Sequence, residues 1–282
     1  MKNFREFVIR TEPFVPELVS GVLWNLDIAG ITEDEPLLKV FAVEENKVLK
    51  KNVEEVLNNL LQQKIIIGYS IEENIFEDKN WNEEWEKSLN VIEVSDRIVI
   101  KPSFREYEEK PGQIILTIDP KMSFGTGEHE TTKLMLLMIE KHITPGVSVL
   151  DVGTGTGVLA IAAVKLGAKD AIAIDNDEWC YDNGIENAQQ NSVSDKVKIM
   201  LGEIKDVSKK DFQLVLANIN KHILIDIAQD IRNHLGENGL LILSGLLHTD
   251  YDDILKKYSS LGLRLMDKSQ MNEWMSLVFK AN

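Results

Sequence analysis

Three glycines at alternate positions, Gly153, Gly155 and Gly157, lie between the apolar run Val149-Leu150-Asp151-Val152 and a second run that starts at Val158. The chemistry open to such a stretch is binding. Without a Cβ the backbone turns sharply and lets a ligand come close. The turn leads into a helix over Leu159 to Leu166, whose free N–H groups attract negative charge. A second apolar run, Ala171-Ile172-Ala173-Ile174, ends in Asp175, 22 residues beyond Gly153. A carboxylate at that strand tip is placed to accept hydrogen bonds from ribose hydroxyls. The stretch therefore reads as the adenosine-binding half of a doubly wound α/β domain. The plainer alternative is a tight strand-to-helix turn that holds no ligand.

Two further stretches carry candidate groups. Asp119 to Thr132 is a polar loop containing Ser123, Phe124, Gly125, Thr126, Gly127 and His129. It runs into an apolar helix, with Thr131 or Thr132 as the expected N-cap. Such a loop is suited to closing over a ligand. No second ligand at helical or hairpin spacing accompanies His129, so a loop-ordering or solvated role is favoured over a metal site. The strand Asp211 to Asn218 presents Asn218-Ile219-Asn220 at the edge where open α/β sheets bind ligands. Asn218 also suits the N-cap of the following helix.

The elements that hold these groups follow from periodicity. Phe4 to Arg10, Leu37 to Val43 and Lys64 to Ser70 read as strands, with a weaker one around 31–36. Helices are expected over Glu17 to Asp27 (face Leu18, Val22, Leu23, Leu26) and Asn52 to Gln63 (face Val53, Val56, Leu57, Leu60, Leu61). This is the pattern of a small ferredoxin-like α+β domain. Glu77 to Leu89, with Trp81, Trp85 and Leu89 at helical spacing, reads as a linker helix. Ile92 to Pro102 and Gln113 to Ile118 are expected strands, turned at Pro111-Gly112. After Asp175 come a helix (Trp179 to Gln190), strands (Lys196 to Leu201, Asp211 to Asn218, Leu240 to Leu243), helices (His222 to His234, Tyr251 to Tyr258) and a closing strand pair (Leu263 to Met266, Trp274 to Phe279). The expected domains are 1–72, a linker at 73–91, and 92–282.

Composition narrows the partners. With 46 acidic against 31 basic residues in 282, the net charge is −15. No basic field attracts phosphates, which disfavours direct nucleic-acid binding and suits a cationic partner. A single cysteine, Cys180, excludes an intrachain disulfide and a cysteine metal cluster. No run approaches the length of a signal peptide or membrane span. A soluble cytoplasmic protein is the expectation.

The glycine spacing separates two ligand classes. Val158 stands where the dinucleotide fingerprint places its third glycine. The D-x-G-x-G-x-G pattern from Asp151, with Asp175 after the next strand, resembles the Rossmann-like methyltransferases that use S-adenosylmethionine. More specifically, Phe124-Gly125-Thr126-Gly127-x-His129-x-Thr131-Thr132, Asp151-x-Gly153-x-Gly155-x-Gly157-x-Leu159-Ala160-Ile161-Ala162-Ala163, Asn218-Ile219 and Leu243-Ser244-Gly245 occur in this order. Together they resemble the PrmA family, which methylates the large-subunit ribosomal protein L-eleven. The resemblance covers roughly residues 78–282, and the small front domain with its linker is also similar to that family.

It implies a class I methyltransferase domain on a mostly parallel seven-stranded sheet, behind an N-terminal ferredoxin-like domain that holds the ribosomal protein. Carried over by position, S-adenosylmethionine contacts fall on Thr132, Gly153, Asp175 and Asn218, with Asp151, Gly155, Phe124 and Gly125 nearby. Asn218 is also the candidate for positioning the amine, and no metal is implied. Asn220, Glu128 and Glu130 depart from residues common in the family.

Methyltransferases acting on planar nitrogens resemble one another in an N-P-P-aromatic tetrad. Asn218-Ile219-Asn220-Lys221 has neither proline nor aromatic ring, which argues for an aliphatic amine: a lysine side chain, an N-terminal amine, or both. The competing readings are a methyltransferase for RNA or a small molecule, a nicotinamide-dependent dehydrogenase, and a non-catalytic ribosome-binding module.

Overall fold

The computed structural model describes residues 3–43, 48–77, 89–121 and 123–282. The chain divides into two units, Met1–Lys87 and Ser88–Asn282.

In the first unit the strands are β1 (Asn3–Glu12), β2 (Gly30–Asp34), β3 (Leu37–Val43) and β4 (Gly68–Glu77). They form an antiparallel sheet in the order β2-β3-β1-β4. Helices α1 (Pro16–Leu23) and α2 (Lys50–Gln62) supply the connections, so the βαββαβ order is ferredoxin-like. Alternation decides the faces. Phe7 and Ile9 of β1 and Leu38, Val40 and Ala42 of β3 are buried with Val19, Leu23, Val53, Leu57 and Leu60 of the helices.

Three expectations need correction here. Pro16 starts α1 one residue earlier, and the buried pair is Val19 and Leu23, leaving Leu18 exposed. Leu61 of the expected α2 face is also exposed. The Ile65-Ile66-Ile67 run precedes β4 instead of forming it. Lys64 turns left-handed at φ 58°. The Lys64 and Ile65 amides donate back to Leu61 and Leu60 carbonyls, a left-handed helix stop that spends the isoleucines on the exit. Ile66 still plugs the core. The expected linker helix over Glu77 to Leu89 falls on 78–88, outside the described residues.

The second unit carries a three-stranded sheet of β5 (Ile92–Glu93), β6 (Ile98–Lys101) and β7 (Ile114–Thr117), with β6 and β7 parallel. Ile92 to Pro102 is not one strand. The Ser95 hydroxyl accepts from the amides of Arg97 and Ile98 and folds the run back on itself. The seven-stranded sheet has the order β10-β9-β8-β11-β12-β14-β13. It comprises β8 (Ser148–Val152), β9 (Asp170–Asp175), β10 (Val197–Leu201), β11 (Phe212–Asn218), β12 (Leu235–Leu247), β13 (Leu263–Met271) and β14 (Trp274–Ala281). All neighbours are parallel except those of β14.

Both faces are covered, which is why its central strands read as unbroken apolar runs. One face packs against α3 (Glu130–His142), α4 (Val158–Lys165) and α5 (Glu178–Gln190). The other packs against α6 (Lys221–Asp226), α7 (Ala228–His234) and α8 (Tyr251–Ser260). The single helix expected over His222 to His234 is broken at Ile227 into α6 and α7. The strand expected at Leu240 to Leu243 extends over Leu235–Leu247. No described helix is long and apolar enough to cross a membrane.

Candidate cofactor crevice

The turn between β8 and α4 is held by backbone bonds to β9. The amides of Gly153 and Thr154 both donate to the Ile174 carbonyl, at 2.9 and 3.1 Å. The Gly155 amide donates to Asp175 Oδ2 at 2.9 Å, and the Asp177 amide to Asp175 Oδ1 at 3.2 Å. Each Asp175 oxygen thus has one backbone donor, and a carboxylate oxygen accepts a second. Asp175 both shapes the turn and presents free lone pairs at the strand tip.

A second loop lies directly on this turn. The Thr156 amide donates to the Phe124 carbonyl at 3.0 Å, and the Thr156 hydroxyl to the Gly125 carbonyl at 2.9 Å. A Cβ on Gly155, whose φ is 55°, would sit 2.3 Å from the Phe124 oxygen. Glycine is required there by contact as well as by conformation. A Cβ on Gly153 would meet Ile219 at 2.4 Å, so the segment after β11 also closes on the turn. Phe124, Gly125, Gly155 and Asp175 are therefore joined by direct contacts, and Gly153 meets the residue next to Asn218.

Thr132 enters through α3. The N-cap of α3 is His129, and neither Thr131 nor Thr132 fills that position. Its Nδ1 accepts from the Thr131 amide at 3.3 Å. The imidazole ring packs edge-on against Phe124 and Trp274, with centroids at 5.5 and 4.8 Å. The ring thus takes the capping role expected of a threonine hydroxyl. Asn218 is likewise not the cap of α6. That position belongs to Asn220, whose side chain makes no capping bond.

Five side-chain oxygens around the loop and turn lack partners: Ser123 Oγ, Thr132 Oγ1, Asp151 Oδ1, Asn183 Oδ1 and Asn218 Oδ1 are buried without a hydrogen bond. Asp151 lies beneath the turn, fully buried, with Oδ2 taking the Thr154 hydroxyl at 2.6 Å. Burial pushes its carboxyl up to about 7, against the lowering effect of Thr154. Unpaired buried oxygens cost about 1–3 kcal/mol each. A ligand rich in donors, such as hydroxyls and an ammonium, relieves that cost. The residues present fit a nucleoside carrying an amino-acid chain.

The residues that sequence reasoning missed are on α5 and its C-cap, Asn191. Asn183, Asn187 and Asn191 are buried and point at the loop and turn. Their spacing of four in a helix with few large apolar residues was the available signal.

The strand order, the glycine turn after the first parallel strand and the carboxylate after the second define a Rossmann-like class I methyltransferase domain, here with a ferredoxin-like companion unit. A sequence profile described as "Ribosomal protein L11 methyltransferase (PrmA)" matches residues 15–282. The chain is 37% identical to the "Ribosomal protein L11 methyltransferase" of Chlorobaculum tepidum over 97% of this chain and 95% of that one. It is 33% identical to the protein of that name from Caldicellulosiruptor saccharolyticus over 99% of both. The crystal structure of a ribosomal protein L11 methylase from Lactobacillus delbrueckii subsp. bulgaricus superposes with a TM-score of 0.64 at 33% identity, covering 68% of this chain and 99% of that one. The chain belongs to the PrmA family.

Proposed function

We propose that this protein is an S-adenosylmethionine-dependent methyltransferase that methylates lysine side-chain or N-terminal amines of a large-subunit ribosomal protein of the L11 type. Family membership over nearly the whole chain supports the reaction class and the substrate. The observation that carries the assignment to this crevice is the pair of buried, partnerless oxygens that flank the turn, Thr132 Oγ1 and Asn218 Oδ1.

When bound, S-adenosylmethionine supplies a methyl group on a positively charged sulfur. Asp175 would hold its ribose hydroxyls, already oriented by the Gly155 and Asp177 amides. Gly153 and Gly155 leave the room that a side chain would fill. Thr132 and Asn218 would take its amino-acid end. Positioning supplies much of the acceleration in a direct displacement. An amine with a reference pKa near 10.4 must reach the crevice uncharged; a partly dry site disfavours the ammonium, and the Asn218 oxygen accepts from the neutral amine and orients its lone pair.

The test is mass spectrometry of the purified ribosomal protein after incubation with enzyme and S-adenosylmethionine. Mass increments of about 14 Da on lysine or the N-terminus are the expected result. Label appearing in rRNA with none in the protein would overturn the substrate assignment.

A further inference from the structure

We infer that Asn187 is a positioning residue for the cofactor crevice, the joint through which an asparagine stripe along α5 and its C-cap sets the 119–127 loop against the glycine turn. The inference rests on the cofactor reading above.

The chain from Thr117 to Asp119 leaves β7 with backbone groups that no strand pairs, and α5 pairs them with side chains. Asn191 accepts the Thr117 amide through Oδ1 at 3.0 Å and donates to the Thr117 carbonyl through Nδ2 at 2.6 Å. Asn187 accepts the Asp119 amide at 3.0 Å. Asn183 donates to the Asp119 carbonyl at 2.8 Å. Four backbone groups on alternate residues are thus met by residues four apart on a helix. The two repeats match: four helical residues rise about 6 Å, and two strand residues advance about 6.6 Å. The stripe acts as a surrogate strand. Gln190 and Lys121–Glu186 add contacts to the same segment.

Asn187 differs from its neighbours. Its Nδ2 donates to the Thr156 carbonyl at 2.9 Å, so one fully buried amide spans the loop entry and the glycine turn. Gly157 and Gly184 let turn and helix come this close, with a Gly157 Cβ position 3.6 Å from the Gly184 Cα. A stripe of leucines would bury more apolar surface but would leave the Asp119 and Thr156 groups unpaired. Polar stripes of this kind fix one geometry where apolar contacts tolerate several.

The experiment compares Asn187→Ala with Asn191→Ala, the latter cutting only Thr117 and the helix's own Asn187 carbonyl. Calorimetric titration with S-adenosylmethionine and with S-adenosylhomocysteine gives affinities, thermal melts give stability, and hydrogen exchange on the ligand-free chain reports peptides covering 119–127 and 153–157. Asn187→Ala should bind both ligands about tenfold or more weakly and exchange faster in both peptides. Asn191→Ala should lower the melting temperature while changing affinity less than threefold. Asn187→Leu keeps the volume and replaces the alanine variant if that does not fold; the same loss is expected.

Wild-type affinity in an Asn187 variant, or an equal loss in both sites' variants, would overturn the inference. Wild-type protein that binds neither ligand would overturn the cofactor reading instead. The exchange data on the ligand-free chain would still report whether Asn187 joins the two loops.

Discussion

The two ends of the strands in the seven-stranded sheet differ in their bonding. At the C-terminal edge of β8, β9 and β11 the crevice is crowded: Gly153 and Gly155 have no room for a methyl group, and five oxygens around the loop and turn lack partners. At the opposite edge lies a cavity of about 310 Å³, lined by His142, Thr144, Gln213, Asn238 and Lys280 among others. Two of its lining side chains are already paired. Gln213 bonds Ser148 and Asp211, and His142 bonds Asp267 at 2.7 Å. Gly146 there has a φ of 85° and open space around it. The carboxylates carry the same contrast. Burial drives Asp151 up to about 7, whereas Lys141 and His142 hold Asp267 down at about 2. Empty volume alone does not mark a site; unsatisfied polar groups held in a constrained backbone do.

The contrast makes graded predictions. Asp175→Ala strikes the crevice hardest. Hydrogen bonds to a charged acceptor are worth about 1.5–3 kcal/mol each, so the loss of two ribose contacts should weaken S-adenosylmethionine binding at least about 100-fold by calorimetry. Unchanged affinity would remove the ribose role and collapse the distinction between the edges.

Gly155→Ala must displace the Phe124 carbonyl, and should cost about 3 kcal/mol in urea unfolding. Gly146→Ala meets only conformational strain, about 1 kcal/mol. Equal costs would show that crowding at the crevice contributes nothing. Asn218→Ala removes one neutral acceptor, and should lower kcat about tenfold with little change in melting temperature. A fall in stability with kcat intact would make that residue structural.

The two carboxylates predict opposite pH dependences. Asp151 is raised from 3.8 to about 7 in the folded chain. Between those values the folded state holds the extra proton, so wild-type stability falls as pH rises through this window. Asp151→Asn should gain on wild type from pH 4 to pH 7 and hold that gain above. Asp267 is lowered from 3.8 to about 2. Its contribution is present above about pH 4 and is lost as pH falls towards 2, so Asp267→Asn should fall slightly behind wild type near neutrality and match it at pH 2. Urea titrations across pH measure both, and the Asp267 effect, on a solvent-screened pair, is the smallest.

Much of the crevice was legible from local patterns. The glycine turn, Asp175 at a strand tip and Asn218 at the end of β11 all follow from apolar runs stopped by small or polar residues. His129 as the cap of α3 was not, because an imidazole acts as a cap only when neighbours orient it, and Trp274 lies 145 positions away in the chain. The fate of Ile65-Ile66-Ile67 was also hidden. A run of β-branched residues satisfies a strand and a core plug equally well, and the left-handed turn at Lys64 chose between them.

The sequence by itself determined the apolar strands around the glycine turn and the acidic and glycine residues of the crevice, because periodicity and backbone freedom act within a few residues. Tertiary structure alone decided that the 119–127 loop lies on the glycine turn and that three asparagines of α5 and its C-cap stand in for a missing strand. Those bonds join residues 64 to 74 positions apart. Their partners are backbone groups, which every residue carries alike, so no pattern of side chains announces them.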